Sequence, residues 1–466
     1  MCLDLYLATT NRSQATYTDV CTAIKRFSPY AELLSHEQFT RKLTELRGVV
    51  PIMTDMCSNS CVAYMGPFAE LQTCPICSAA RYETVTGGQK VVSVPSKEAL
   101  TIPVGPQILY KPNIGSPKVY GIWDTGLALW DHWWPRFLLE VLWISMTMYT
   151  AAPHCLISLM CGDLTSDDTV LMLSIDSAQL FESKQSDCWI YIWVLLDLAP
   201  NLRYKKRYVL PGEFIPGPKK PKNLDSFVCT GLHHLSVLQK DGLRIWDCQT
   251  GCIFTSHPFF FLGTADGPGL AALHGQVGHH GAFGCWEYCG LRGRHKAGGP
   301  HYYPALLRPL NYALPGCDHN NIDVYNLPKA SSGLHTDNLN RLLQCETDVQ
   351  FKSIWKDTGL CKPSLFLGHD ARHSSGLPGC LAIDQMHVIA INLPDLLIGL
   401  WRGTIDCDRE DSRLLWDWVV LTGDHWKAHG LDVALCRPYF PGSFNCPPRN
   451  PAEKISSGYK ARKFLL

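Results

Sequence analysis

Two apolar runs in the chain each end on an aspartate: Leu171 to Asp176 (LMLSID) and Phe259 to Asp266 (FFFLGTAD). A run apolar at successive positions belongs to a strand buried on both faces. Each run therefore predicts an inner strand of a covered sheet, and each carries a carboxylate to the sheet's rim. Between them lie two more strand-like stretches, CWIYIWVLLDL and RYVLPGEFI, and then a helical stretch from Leu224 to Trp246. The order predicted over residues 168–273 is β-β-β-α-β, a mixed α/β core. Acid-ended strands lying side by side can share divalent cations, which suits metal-dependent phosphodiester chemistry. A lone strand-end aspartate equally serves a turn or a helix cap.

At 466 residues, 46% of them hydrophobic and 18% charged, the chain can bury a large core in two or three structural units. Lys plus Arg equals Asp plus Glu at 42 each, so any surface attractive to nucleic acid has to be local. The N-terminal MCLDLYLATTNRSQ lacks a basic segment followed by a long apolar one, which predicts an intracellular, reducing setting. In that setting close pairs among the 21 cysteines are zinc ligands rather than disulfides, and isolated ones such as Cys155 and Cys436 are small core residues. The Trp-rich stretch from Gly121 to Cys161 contains Asp131, Arg136 and Glu140, then Pro153 and His154. It offers no clean run of about 20 apolar residues and is not expected to span a membrane.

Residues 1–50 show a helical rhythm and predict a small helical region. Residues 51–100 hold a cysteine cluster, residues 101–167 a connector with the aberrant Trp-rich stretch, and residues 168–273 the core. Residues 274–400 read as a Cys/His-rich insertion, loop-like from about Gly275 to Asp323, and residues 401–466 as a helical part anchored by Trp401, Trp416, Trp418 and Trp426.

Cys57, Cys61, Cys74 and Cys77 follow the pattern C-x3-C-x12-C-x2-C. Two short knuckles of two thiolates each can close a tetrahedron around Zn²⁺, and four sulfur ligands leave no open position for a substrate, so the expected role is structural. A looser set, Cys285, Cys289, His301 and His319, forms a candidate Cys₂His₂ site, with His295 and Cys317 as rival ligands. Basic residues gather at Arg203, Lys205, Lys206 and Arg207 and again at Lys219, Lys220 and Lys222, both between the two acid-ended runs. Such loops can hold a phosphate backbone, with Tyr204 and Tyr208 beside them, or can simply be solvated.

The stretches CPICSAARY, LMLSIDSAQLF, the run from Ser186 to Phe227, GLHHLSVLQKDGLRIWD, GTADGPGL, GHHGAFGCWEYCGL, GPHYYPALL and RNPAEKISSGYKA resemble the transposases of CACTA-type (En/Spm-like) DNA transposons, in the form abundant in mushroom-forming fungi. The resemblance runs from about Cys57 to the last residue. It implies an RNase H-like core with a zinc-stabilised insertion, in which three acidic residues hold Mg²⁺ or Mn²⁺ for DNA strand cleavage and strand transfer. Asp176 falls on the first acid and Asp266 on the second; Asp225 is the rival for the second but is read as opening a helix. Cys285 and Cys289 match the family's cysteine pair, and His387 is an alternative ligand.

The family's third acid is a Glu beyond the GYKA region, and the chain ends at Leu466 before it. Asp384, Glu410 and Asp417 are available acids that nothing marks as substitutes. The resemblance therefore implies a truncated or inactive copy of a nuclear enzyme whose partners are transposon ends and target DNA, together with further copies of itself or a second element-encoded protein. The alternative is a non-catalytic, zinc-organised remnant that binds DNA or a protein.

Overall fold

The structure is a computed structural model that describes residues 2–9, 13–87, 90–110, 161–179, 187–198, 200–247, 250–295, 299, 301–308, 320–329, 331–384, 388, 392–407, 412–439 and 449–453. The chain divides into two compact units, Met1–Gly263 with Ala271–Leu381, and Thr264–Leu270 with Ala382–Leu466. Most of the Trp-rich stretch lies outside the described residues.

The first unit opens with three helices, α1 (Cys2–Thr9), α2 (Gln14–Phe27) and α3 (His36–Arg47). Their starts follow from local chemistry. The Ser13 side chain accepts from the amide of Thr16, and Ser35 and Gln38 form a reciprocal capping box. Tyr17, Cys21 and Leu33 are buried between them, with the Tyr6 ring 5.0 Å from Phe39. The helical expectation for residues 1–50 holds.

The central sheet has seven strands. In chain order its members are β1 (Ile52–Asp55), β4 (Glu98–Thr101), β5 (Val170–Gln179), β6 (Asp187–Leu195), β7 (Leu210–Pro216), β10 (Phe259–Ala265) and β13 (Leu381–Ile383). They lie side by side as β1-β4-β7-β6-β5-β10-β13. Two-stranded hairpins account for β2 (Tyr82–Gly87) with β3 (Lys90–Pro95), β8 (Leu243–Asp247) with β9 (Cys252–Ser256), and β11 (Arg294–His295) with β12 (Tyr302–Tyr303). The described helices that follow α3 are α4 (Val104–Tyr110), α5 (Pro200–Arg203), α6 (Leu224–Asp241), α7 (Gly267–His274), α8 (Ser332–Leu343), α9 (Asp348–Thr358), α10 (Leu393–Arg402) and α11 (Gly423–Leu435). The observed order over residues 168–273 is three antiparallel strands, with the short helix α5 before the third, then helix α6, the β8–β9 hairpin that the sequence reading did not include, and β10 beside β5, followed by α7.

Two details depart from the sequence reading. Strand β10 is buried along its whole length, but β5 alternates, with Leu171, Leu173 and Ile175 buried and Met172 and Ser174 half-buried, so one of its faces is less covered than an unbroken apolar run suggests. The helix expected to reach Trp246 stops at Asp241. Gly242, at φ 76°, caps it, and LRIWD then alternates buried and exposed as strand β8.

Helix α6 lies on the sheet through Leu224, Phe227, Val228, Gly231, Leu232 and Leu235, a period of three to four residues that matches its sequence pattern. Its closest approach is at Gly231, where an added Cβ would stand 1.8 Å from the Tyr191 hydroxyl. In the second unit the rings of Trp416 and Trp418 stack 5.5 Å apart and the Arg402 guanidinium sits 4.5 Å over Trp426, while Trp401 and Trp418 are exposed.

Candidate metal centre

Strand β1 runs into the first cysteine knuckle. Cys57 donates its amide to the Val62 carbonyl, and the turn is closed by the Ser60 amide donating to the Cys57 carbonyl at 2.7 Å with Ser60 at φ 56°. The second knuckle repeats the device: Cys74 donates to Ala79, Ser78 donates to Cys74, and Ser78 stands at φ 58°. Both hairpin-like loops turn their cysteines inward, and the four Sγ atoms lie within 4.8 Å of one another. A tetrahedral Zn²⁺ with bonds of about 2.3 Å needs sulfurs about 3.8 Å apart, and Cys57 and Cys77 are already at 3.5 Å. Among the described residues this is the one group of three or more such ligands.

Its protonation chemistry fits a cation. The Ala79 amide, with help from Cys57 and Asn59, pulls the Cys77 thiol down to about 6, while burial pushes Cys61 up to about 12 and Cys57 above its usual value. Four adjoining sulfurs, three of them on buried cysteines, cannot all ionise beside one another without a positive charge at their centre. A bound Zn²⁺ would be held by all four, with no position left for a substrate.

The residues around the cluster tie it to the sheet. Lys97 Nζ donates to Ser60 Oγ at 2.9 Å and to the Gly217 carbonyl, Ser60 Oγ donates to the Pro216 carbonyl, and Asn223 donates to the Cys61 carbonyl. Arg81 is clamped between the rings of Tyr64 and Tyr82 and pairs with Asp55 at 2.8 Å. Asn59 Oδ1 accepts from Lys219 at 2.8 Å, so the zinc knuckle fixes the start of the basic loop. None of these supporting residues was singled out from sequence for this role; the CSNSC spacing carries their only local signal.

The remaining basic residues divide by environment. Lys205, Lys206 and Arg207 are exposed on the turn after α5, with Arg207 over the Tyr208 ring. Lys220 lies over the Trp189 ring, and Lys222 is exposed. Arg203, by contrast, is buried and donates to the Leu198 carbonyl, so it is a structural residue and not part of an exposed patch.

Asp176 lies exposed in β5, opposite Ile190, and its Oδ1 accepts the amide of Ser177 at 2.6 Å. Asp266 follows β10 directly and caps helix α7, Oδ1 accepting the Gly269 amide at 2.7 Å and its carbonyl accepting from Leu270. Each keeps one carboxylate oxygen without a partner among the described residues. Asp225 sits in the first turn of α6, behind the true N-cap Asn223, and forms an ion pair with Lys362. Its role is local, as read from the sequence, although Asn223 does the capping.

In the insertion, Cys285 and Cys289 interact directly. Their shared proton holds Cys289 down to about 6 and Cys285 well above the usual thiol range. His301 is exposed, with its ring 4.3 Å from that of His280, and does not join the cysteine pair in a ligand cluster among the described residues. His319, Cys317, His387 and Glu410 lie outside the described residues. No helix of the described residues is long and apolar enough to cross a membrane.

No protein-family model and no curated protein matches the chain.

Proposed function

We propose that the chain is a transposase-type protein with an RNase H-like core, built to hold DNA and cut it with a divalent metal. One observation carries the reading: β5, which bears Asp176, and β10, which is followed directly by Asp266, are neighbours in the sheet, with β6 and β7 extending an antiparallel meander from β5 and β13 on the far side of β10. That arrangement is the one expected of a fold whose first and fourth strands carry its first two acids. Asp176 and Asp266 would hold Mg²⁺ or Mn²⁺, which when bound lowers the pKa of its water and stabilises charge on a phosphate. The free oxygen on each carboxylate suits that role. Lys205, Lys206, Arg207, Lys219, Lys220 and Lys222 would hold the DNA backbone, with the zinc knuckle steadying the second group through Asn59.

A second reading has its own support. Asp266 is spent in part on a helix cap and Asp176 on its neighbour's amide, and among the described residues no third acid, histidine or cysteine joins either in a ligand cluster. This favours a zinc-organised DNA-binding remnant that cuts nothing.

The deciding experiment is nicking of supercoiled plasmid by the purified zinc-loaded chain with Mg²⁺ or Mn²⁺, beside Asp176→Ala and Asp266→Asn. Nicking lost in both variants supports the metal-dependent enzyme. A folded chain that binds plasmid with a steep salt dependence but leaves it supercoiled supports the remnant.

A further inference from the structure

The Cys/His-rich insertion contains a cavity that the proposed cutting chemistry does not use. Its volume is about 610 Å³, and its walls include Phe283, Tyr302 and Trp355, the imidazole of His280, and the cations Arg292 and Lys356. The volume falls within the roughly 300–1,000 Å³ usual for small-ligand sites.

The floor is held by backbone hydrogen bonds between distant segments. Tyr302 donates to the His280 carbonyl at 3.0 Å, Gly293 to Ala282 at 2.6 Å, and Val277 to Gly359 at 2.8 Å. Gly359, at φ 76°, ends α9 and lets it abut Phe283: an added Cβ would stand 2.9 Å from the Phe283 Cβ and carbonyl oxygen. Trp355, on the last turn of α9, is 39% exposed. The imidazoles of His279, His280 and His301 continue the aromatic surface, with centroids 4.0 and 4.3 Å apart.

The charges are arranged differently from the rings. Arg292 and Lys356 are exposed and neither has an ion-pair partner among the described residues. The one carboxylate in the lining, Asp357, accepts a hydrogen bond from Ser353. A rim with surplus positive charge around flat π faces suits a ligand that is anionic along one edge and aromatic along the other. An acidic peptide would use the cations and leave the rings wet, whereas an apolar ligand would leave the cations unused. A nucleotide uses both.

We infer that this cavity binds an unpaired nucleotide of a single DNA strand, the base against Trp355 and Tyr302 and the phosphates at Arg292 and Lys356. Neither Asp176 nor Asp266 lines the cavity; the choice of DNA rests on the DNA-holding reading above, and the site does not require that the chain cut it.

The test is fluorescence anisotropy of the full zinc-loaded chain with three labelled probes: a short oligothymidylate, an abasic strand of equal length and charge, and a blunt duplex. Oligothymidylate should bind tighter than the abasic strand, and duplex binding, which the basic loops can carry alone, should be indifferent to Trp355→Ala. Trp355→Ala should weaken oligothymidylate binding about ten-fold and leave abasic binding unchanged, and Trp355→Phe should restore most of the loss. Arg292→Ala with Lys356→Ala should weaken both single strands and flatten the salt dependence. Thermal melts matching the parent keep a folding defect out of the comparison. Equal binding of base-bearing and abasic strands, indifference of oligothymidylate to Trp355→Ala, or an equal loss of duplex binding in that variant would each overturn the inference. Nicking is read separately, so a chain that stacks a strand without cutting upholds this site while removing the enzyme reading.

Discussion

Glu213 is a carboxylic acid in the centre of the sheet, flanked across neighbouring strands by Tyr191 and Thr101. All three are buried, and Glu213 Oε2, the Tyr191 hydroxyl and the Thr101 hydroxyl lack hydrogen-bond partners among the described residues. Burial pushes the Glu213 pKa well above its ordinary 4.5. The folded chain therefore retains a proton that the unfolded chain releases, and stability should fall as pH rises above about 4.5, through the window up to the raised folded value. Glu213→Gln removes that dependence, so its melting midpoint should exceed the parent's at neutral pH and converge on it near pH 4.5, which melts across pH would show. His369 has the opposite slope. Burial lowers its pKa to about 4 from 6.5, and acidification below about 6.5 should cost up to roughly 3 kcal/mol as the unfolded chain takes up a proton that the folded chain refuses. Asp266 has two separable duties. Asp266→Asn keeps an oxygen for the Gly269 amide and should leave stability near the parent's, whereas Asp266→Ala should cost about 1 kcal/mol as a lost cap. If nicking vanishes in Asp266→Asn without loss of stability, the carboxylate's charge matters and not its capping.

Between α6 and the sheet the fit is tighter than helix propensity allows for. At an exposed position Gly→Ala stabilises a helix by about 1 kcal/mol, but a Cβ on Gly231 would meet the Tyr191 hydroxyl, and an added Cβ on Gly212 would meet the same ring from β7. Overpacking of this kind costs about 1–3 kcal/mol, so Gly231→Ala should destabilise on balance. Tyr191→Phe takes away a buried hydroxyl with no partner, and combining it with Gly231→Ala should recover part of the loss; chemical denaturation of the double-mutant cycle measures the coupling. The sequence made the element order legible because apolar runs of this length and a period of three to four residues leave few alternatives. It did not reveal that helix α6 ends at Gly242, since Leu243, Ile245 and Trp246 continue an apolar pattern compatible with either a helix or a strand, and only the pairing with Cys252–Ser256 decides. The 283–359 cavity was illegible for the same reason at longer range: Trp355 and Tyr302 look like ordinary aromatic residues until Gly359 and the Tyr302–His280 hydrogen bond bring them together.

Across the first unit, the cysteine cluster is continuous with the sheet. Its spacing was readable because C-x2-C and C-x3-C knuckles impose their own geometry, but reading residues 51–100 as a module gave no sign that β1 and β4 extend the sheet beyond β7. That continuity depends on pairings between segments more than 100 residues apart, including Ser60 with Pro216, Lys97 with Gly217 and Ala63 with Ser226. A consequence is that the metal should stabilise more than its own loops. Without Zn²⁺ Cys57 and Cys61 hold their protons, the knuckles lose their fixed centre, and the hydrogen bonds that Ser60, Cys61 and Ala63 make to β7 and the start of α6 lose their support. Cys61→Ser should therefore remove one equivalent of zinc by elemental analysis and lower the melting midpoint by at least several degrees. Hydrogen exchange should speed up in β1 and β4 and also at the β7 end that contacts Ser60, with the basic loop at Lys219 following because Asn59 no longer holds it. If loss of protection stops at residues 57–77, the cluster is an independent knuckle and the sheet does not depend on it. If protection falls through β7, the metal, the sheet edge and the basic loop act as one cooperative element, and zinc occupancy should then set DNA affinity as well as stability.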